Sequence, residues 1–469
     1  MKTNSEIISE YIAGLTYEDI PQDVVEQTKR VLLHTIAASI AAYPLPITEK
    51  VIQYTQSKGG AAEATIWCSD GRKVPAEEAA FANGTIADGM DWEDCTWTGH
   101  PSAIGIPACV AVAEKYGKSG KDLLLSIVAG YESSQRIAMA AQPSPEYVAD
   151  GREWGLVSWQ LFCASIGAAK LMGMNVKQIE QVLGASLYQA TVPINKHGDG
   201  TAKSDIYHYQ HGFTARNGIY AAEVTRRGFD NCWGALDGPD GYWHMVSDQQ
   251  DESWYGKDLG SLWMIRDSCY LKHRPANMWV QIPLEALADL LKEHPFTMEQ
   301  VEKIRVTPNM PFIMSPYQNT TKGFLDAQFS IPYCLTALMM HPEHRLDASS
   351  FSDEMRNNEA LIQFCGKYEG YGKTATFFDN FAIFKTGSFP VFTIDVTLKD
   401  GTELHKSCQF PKGHPKNNYT LEEEYEHYRK ATAPYLPASQ IEAMIELVDK
   451  LEQAPDISRL AALTTIKNV

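Results

Sequence analysis

Residues 76–117 read AEEAAFANGTIADGM, then DWEDCTWTGHPSAIG, then IPACVAVAEKYG. The outer two segments carry a helical pattern but are built largely from Ala, Gly and other small residues. Small residues let backbones approach closely, so these segments belong inside a compact bundle rather than on a surface. Residues 161–173 (LFCASIGAAKLMG) and 218–228 (GIYAAEVTRRG) have the same character. Gly117, after Lys115-Tyr116, and Gly228, after Arg226-Arg227, are expected helix stops. The middle segment is polar and is expected at a helix–helix junction. Asp91, Glu93, Asp94 and His100 lie within ten residues of one another there, with Thr96 and Ser102 beside them. Three acids and a histidine supply the groups for general acid–base catalysis. The bland alternative is a solvated loop whose acids cap the next helix.

Working outward, the N-terminus predicts two helices. Ile7, Ile8, Tyr11, Ile12 and Leu15 fall on one face; after Pro21, the residues Val24, Thr28, Val31, Leu32, Thr35, Ile36 and Ser39 continue the same period. The pattern changes after about residue 268. Residues 301–308 (VEKIRVTP) read as a strand, and 391–410 alternate about Asp400-Gly401, the strongest short hairpin signal in the chain. The segments 282–294 and 330–341 between them are helical, as are 421–431 and 438–454 near the end. The expected fold is mostly α: a large all-helical domain formed by both ends of the chain, residues 1–268 and 411–469, with an inserted α+β lid domain, residues 269–410.

The chain has 469 residues, 44% hydrophobic and 21% charged, which suits a globular protein and not a disordered or coiled-coil one. Its formal charge of -17 argues against nucleic acid, because phosphate binding needs a basic face. Nine scattered cysteines without a CxxC pair point to reduced thiols. The N-terminus lacks the apolar run of a signal peptide, and no window approaches the ~18 apolar residues of a membrane span. A cytoplasmic protein with no membrane or nucleic-acid partner is expected. Walker, GxGxxG and GxSxG patterns are all missing, which removes weight from nucleotide, flavin and serine-hydrolase readings.

Two further polar clusters stand out. Lys196-His197-Gly198-Asp199-Gly200-Thr201-Ala202-Lys203 suits a loop closing on an anion. In the adjoining Tyr207-His208-Tyr209-Gln210-His211-Gly212, the spacing of His208 and His211 is a weak metal signal with no third ligand nearby. Lys272-His273-Arg274-Pro275 opens the expected lid; its bland reading is a basic surface turn.

Ala82-Asn83-Gly84-Thr85, Met90-Asp91-Trp92-Glu93-Asp94 and His100-Pro101-Ser102 together resemble the MmgE/PrpD family. The resemblance continues through residues 212–222 (GFTARNGIYAA), Gly228-Phe229, Leu236-Asp237-Gly238, Lys272 with Pro275, and Phe329-Ser330-Ile331-Pro332-Tyr333. That family includes 2-methylcitrate dehydratases, cis-aconitate decarboxylases and iminodisuccinate epimerases. The resemblance implies a homodimer, no metal or organic cofactor, and a site between the helical and lid domains for a small-molecule polycarboxylate. Asp91 and His100 match family active-site positions, and Lys272 and Tyr333 match lid positions facing the substrate. A family threonine aligns with Cys95 or, with a one-residue gap, Thr96. The family's central lysine has Lys203 as its nearest candidate, although direct alignment places Tyr207 there. Two family histidines are replaced, one by Trp154 and one by Gln281.

These matches give a working assignment. Asp91, His100 and Tyr333 are the catalytic candidates, with His100 as the acid–base group oriented by Asp91. Thr96, Lys203, Lys272, Arg274 and Gln281 are the substrate-binding candidates. The expected function is a cofactor-independent lyase of dehydratase or decarboxylase type. An epimerase of a dicarboxylate such as iminodisuccinate is the alternative, and a noncatalytic ligand-binding member comes next. A metal-dependent hydrolase using Asp94, His208 and His211 is a distant fourth. Trp92, Trp97, Trp154 and Trp279 form either an aromatic pocket or part of the core.

Overall fold

The computed structural model describes residues 2–149, 156–191, 204–314, 323–341, 343 and 345–466. Lys203, the rest of the 196–203 cluster and Trp154 lie outside the described residues.

The small-residue segments form the inner helices Ala76–Asp88, Ser102–Lys115, Leu156–Leu171 and Ile206–Arg226. Their packing depends on glycine at one contact above all. A Cβ on Gly212 would run into the Phe81 carbonyl oxygen and the Thr85 hydroxyl, and one on Gly84 would meet the Gly212 backbone at 3.1 Å. The helices Ala76–Asp88 and Ile206–Arg226 therefore touch almost backbone to backbone, which fixes what their ends bring together. Helix Gln22–Ala41 is nearly wholly buried. Its Thr28, Thr35 and Ser39 hydroxyls donate to carbonyls four residues back, so these polar side chains enter the core satisfied. Gly117 and Gly228 end their helices at φ +59° and +84°.

The C-terminal helices return to the first ones. Helix Leu421–Thr432 packs on Gln22–Ala41. Lys29 reaches the Asp449 carbonyl at 2.7 Å, and the Gly120 amide bonds to the Ala454 carbonyl. Both ends of the chain thus build one helical body.

Between them lies the α+β insertion. Its four-stranded sheet runs Tyr368–Gly370, Val301–Thr307, Phe392–Leu398 and Glu403–Cys408 in spatial order. The first pair is parallel and the others antiparallel, and the expected hairpin about Asp400-Gly401 is the last of them. Helix Met278–Glu293 packs on the hairpin, with helix Ile331–Met340 beyond it. The parallel edge strand has no counterpart in the sequence reading, because three residues carry no detectable alternation. No cysteine is paired. Among the described residues no single helix is long and apolar enough to cross a membrane.

Candidate active site

The polar segment 91–100 is folded inward, not solvated. Asp91, Glu93, Asp94, Thr96 and Thr98 are all buried. Asp91 leaves the end of its helix at φ +49°, a left-handed conformation that costs an ordinary side chain about 1 kcal/mol or more. A two-residue antiparallel ladder then pairs Asp94 with Leu271 and Cys95 with Tyr270. One step further along that ladder, Glu93 faces Lys272, whose Nζ lies 2.5 Å from Glu93 Oε1. Lys272 also bonds to the Asp91 carboxylate. The Lys272–Arg274 turn therefore belongs to a seam between body and insertion, with Lys272 and Arg274 buried, and the bland reading of a basic surface turn does not hold.

Burial works against charge on Asp91, Glu93 and Lys272. It raises Asp91 despite Lys272 nearby. At Glu93 the same burial is outweighed by Lys272 and His100, which hold the carboxyl below its usual range. At Lys272 burial is outweighed by Asp91 and Glu93, which raise the ammonium's pKa. Lys272 and Glu93 are thus a committed ion pair.

His100 is the least buried member, and the carboxylate that holds it is Glu93 rather than Asp91. Its Nδ1 lies 3.1 Å from Glu93 Oε1 and 2.9 Å from the Asp94 carbonyl oxygen. A carbonyl can only accept, so the ring hydrogen sits on Nδ1 and the neutral ring keeps its lone pair on Nε2. Asp94 is fully engaged: it accepts from the Ser102 amide at 3.0 Å and from the Tyr131 hydroxyl at 2.6 Å.

The remaining candidates serve the frame around this centre. Thr96 donates to Gln135 Oε1 at 2.5 Å, and Trp159 donates to the Thr98 carbonyl. Gln281 accepts from the Arg274 amide and donates to the Arg274 and Ala276 carbonyls, stapling the turn that follows Lys272. The Arg274 guanidinium is paired with Glu285 at 2.7 Å. The Tyr333 hydroxyl donates to the Ser350 carbonyl at 2.7 Å and its ring stacks on Phe351. Trp92 is 6% exposed and borders a cavity, whereas Trp279 is buried and stacked on Phe384.

Sequence reasoning missed three partners. Asp88, at the end of its helix, gathers both histidines of the HxxH pair. His208 Nδ1 lies 2.8 Å from Asp88 Oδ2, and His211 Nδ1 lies 3.4 Å from Oδ1 without hydrogen-bond geometry. The Gly84–Gly212 contact creates this meeting, and the hydrolase grouping of Asp94 with the two histidines does not form. The available signal was an acid at the end of a helix whose other acids, Glu77 and Glu78, lie in its first turn. His34 and Glu424 are the other two. His34 Nδ1 lies 3.0 Å from Glu424, and its Nε2 lies 2.9 Å from the Trp92 carbonyl. With His427, they are the three side chains among the described residues whose ligand-type atoms come within 4.8 Å of one another. The His34 and His427 rings are stacked at 12°, so their in-plane lone pairs do not converge on one ion.

Tyr207 stands beside the acidic cluster. Burial first, then Asp91, Asp88 and Glu93, push its hydroxyl well above the usual range. A cavity of about 990 Å³ opens between the helical body and the insertion, walled in part by Trp92, His208, His273, Phe351 and His427.

The model of the MmgE/PrpD N-terminal domain matches residues 6–254, and that of the C-terminal domain matches residues 275–453. The chain is also similar to cis-aconitate decarboxylase of Mus musculus, 23% identical over 478 residues, covering 99% of this chain and 93% of the relative. The Homo sapiens enzyme is 23% identical over 488 residues, covering 99% and 95%. That of Aspergillus terreus is 23% identical over 490 residues, covering 97% and 94%. The two family models together span most of the residues that build the helical body, the acid loop and the inserted sheet, and this chain belongs to the MmgE/PrpD family.

Proposed function

We propose that the chain is a lyase acting on a small polycarboxylic acid by acid–base chemistry at a carbon beside a carboxylate. The observation that carries this reading is the buried centre in which Glu93 holds both Lys272 and His100. Its groups are preorganised: the lysine charge is fixed by two carboxylates, and the imidazole is locked with Nε2 free to exchange a proton. End-to-end similarity to three cis-aconitate decarboxylases supports a decarboxylase or dehydratase within that class.

In this mechanism His100 transfers the proton, Glu93 orients it, and Lys272 supplies a fixed positive field for carbanion-like charge. Asp91 sets the lysine. Thr96, Arg274, Gln281 and Tyr333 hold the walls through the bonds described above, and Tyr207 takes the place of the family's lysine. The epimerase reading is favoured by one feature: an amide at position 281, spent on stapling backbone, cannot move protons as a histidine would.

A ¹H NMR assay in deuterium oxide against cis-aconitate, 2-methylcitrate and iminodisuccinate tests the proposal. Loss of carbon dioxide or water from one compound supports the lyase. Deuterium incorporation without such loss transfers the assignment to an epimerase, and no change with any of the three removes the polycarboxylate reading. Homodimeric assembly and a cytoplasmic location belong to the same proposal, as do unit boundaries at 268/269 and 410/411. The exposed Tyr188 and Tyr220, which line one surface hollow, support a dimer; light scattering on the purified chain tests it.

A further inference from the structure

We propose that His208, with Asp88 behind it, is a second proton-transfer residue that presents Nε2 to the cavity between body and insertion. The inference rests on the polycarboxylate reading for its substrate class, and on different residues for its geometry.

The ring's orientation follows from two distances. His208 Nδ1 lies 2.8 Å from Asp88 Oδ2 and 3.1 Å from the Asp88 backbone carbonyl oxygen. Because the carbonyl oxygen only accepts, the hydrogen belongs to Nδ1, and Nε2 of the neutral ring keeps its lone pair. No hydrogen-bond partner occupies Nε2 among the described residues. Burial lowers the imidazole to about 4, so the neutral, proton-accepting form is present at neutral pH.

Position is the second argument. His208 is part of the wall of the 990 Å³ cavity, whereas His100 is not among its lining residues. A volume of that size admits a tricarboxylic acid. The ring is also rigidly placed, since Asp88 and His208 lie on the two helices locked together at Gly84 and Gly212. A group fixed this way needs no reorganisation when charge develops. His208 feels the charges of Glu93 and Lys272, so it belongs electrostatically to the same centre as His100.

The step is a proton exchange. Nε2 takes the hydrogen from a carbon beside a substrate carboxylate. The C–H bond breaks, its electron pair stays on that carbon and spreads into the carboxylate, and the proton becomes the second N–H of an imidazolium. The reverse step returns it. Asp88 is a positioning residue, holding the tautomer.

Wild type and His208→Gln are compared on the three acids named above in deuterium oxide. The proposal expects the variant to lose ~10²-fold or more in turnover or carbon-bound exchange with an unchanged melting temperature. Asp88→Asn is expected to shift the pH profile of kcat/KM while leaving KM nearly unchanged. His208→Gln working within ~3-fold of wild type overturns the proposal while the lyase reading stands. If wild type acts on none of the three acids, the substrate reading fails separately. The His208 assignment is then decided by ¹⁵N NMR of the imidazoles on adding tricarballylate. A His208 Nε2 that carries no hydrogen and shifts on addition supports it. An Nε2 that carries hydrogen, or ignores the acid, overturns it.

Discussion

Two imidazole–carboxylate pairs flank the acidic loop, and they keep their proton on opposite partners. At the cavity, the His208 nitrogen that faces Asp88 also faces a backbone carbonyl, so the ring is the donor and its outer nitrogen is bare. At the seam between the two chain ends, His34 uses Nε2 to donate to the Trp92 carbonyl. Its Nδ1 must therefore accept, and Glu424 must supply the hydrogen as a carboxylic acid. Burial acts alike on both pairs, raising Asp88 and Glu424 and lowering both imidazoles to about 4, so the position of the carbonyl oxygen is what separates them. One carbonyl oxygen thus turns the same two side-chain groups, an imidazole and a carboxyl, into a base in one place and a neutral strut in another. The strut has a task, because it pins the backbone of Trp92 between Asp91 and Glu93.

The comparison can be broken most forcefully at the ion cluster between the pairs. Lys272→Met leaves two buried carboxylates without their cation and is expected to destabilise the fold by ~3–5 kcal/mol, read by chemical denaturation. A loss below ~1 kcal/mol would mean that the seam is hydrated and that neither pair sits in a low-dielectric setting. Next in size, His100→Ala should lower turnover by ~10²-fold or more in the deuterium oxide assay. Near-wild-type activity would leave His208 as the proton-transfer residue of the two.

His34→Ala removes the strut. The Trp92 carbonyl loses its donor, and a stability loss of ~1–3 kcal/mol is expected from thermal unfolding. Its effect on turnover should be smaller than that of His100→Ala, since both His34 nitrogens are engaged, by Glu424 and by the Trp92 carbonyl, and neither is left to exchange a proton. Equal losses in the two variants would mean that His34 is more than a strut.

Glu424→Gln starts from the smallest difference and sharpens the comparison most. The amide keeps a donor for His34 Nδ1 but cannot ionise. In the wild type, the folded carboxyl at about 8 binds a proton that the unfolded chain has already released. Wild-type stability therefore falls as pH rises from the unfolded value toward about 8, by at most ~1.4 kcal/mol per pH unit, and levels off above it. The variant lacks this slope. Melting temperatures should nearly coincide at about pH 5 and separate by about pH 8, with the variant the more stable. Parallel curves would place the proton on His34 and make the two pairs alike.

Much of this architecture was legible from local pattern. The hairpin about Asp400, the strand at 301–307 and the inner helices follow from periodicity, turn residues and helix stops acting over a few residues. The active-site segment announced itself by composition, since acids and a histidine interrupt small-residue helices. Which acid serves which base was not legible. Asp91 was the natural orienter for His100 by family position, yet the ladder of Asp94 with Leu271 turns Glu93 toward both Lys272 and His100. Tyr333 looked like a catalytic group and Arg274 and Gln281 like substrate ligands, and the hydrogen bonds they make hold the frame.

The sequence by itself determined a helical body, an inserted α+β unit, and the loop where acid–base groups concentrate, because periodicity and turn chemistry act locally along the chain. Tertiary structure alone decided the partners. Asp88 meets His208 across 120 residues and His34 meets Glu424 across 390. Such meetings are set by close helix packing and burial. Burial then decides where each proton resides, because charge is costly where water is excluded.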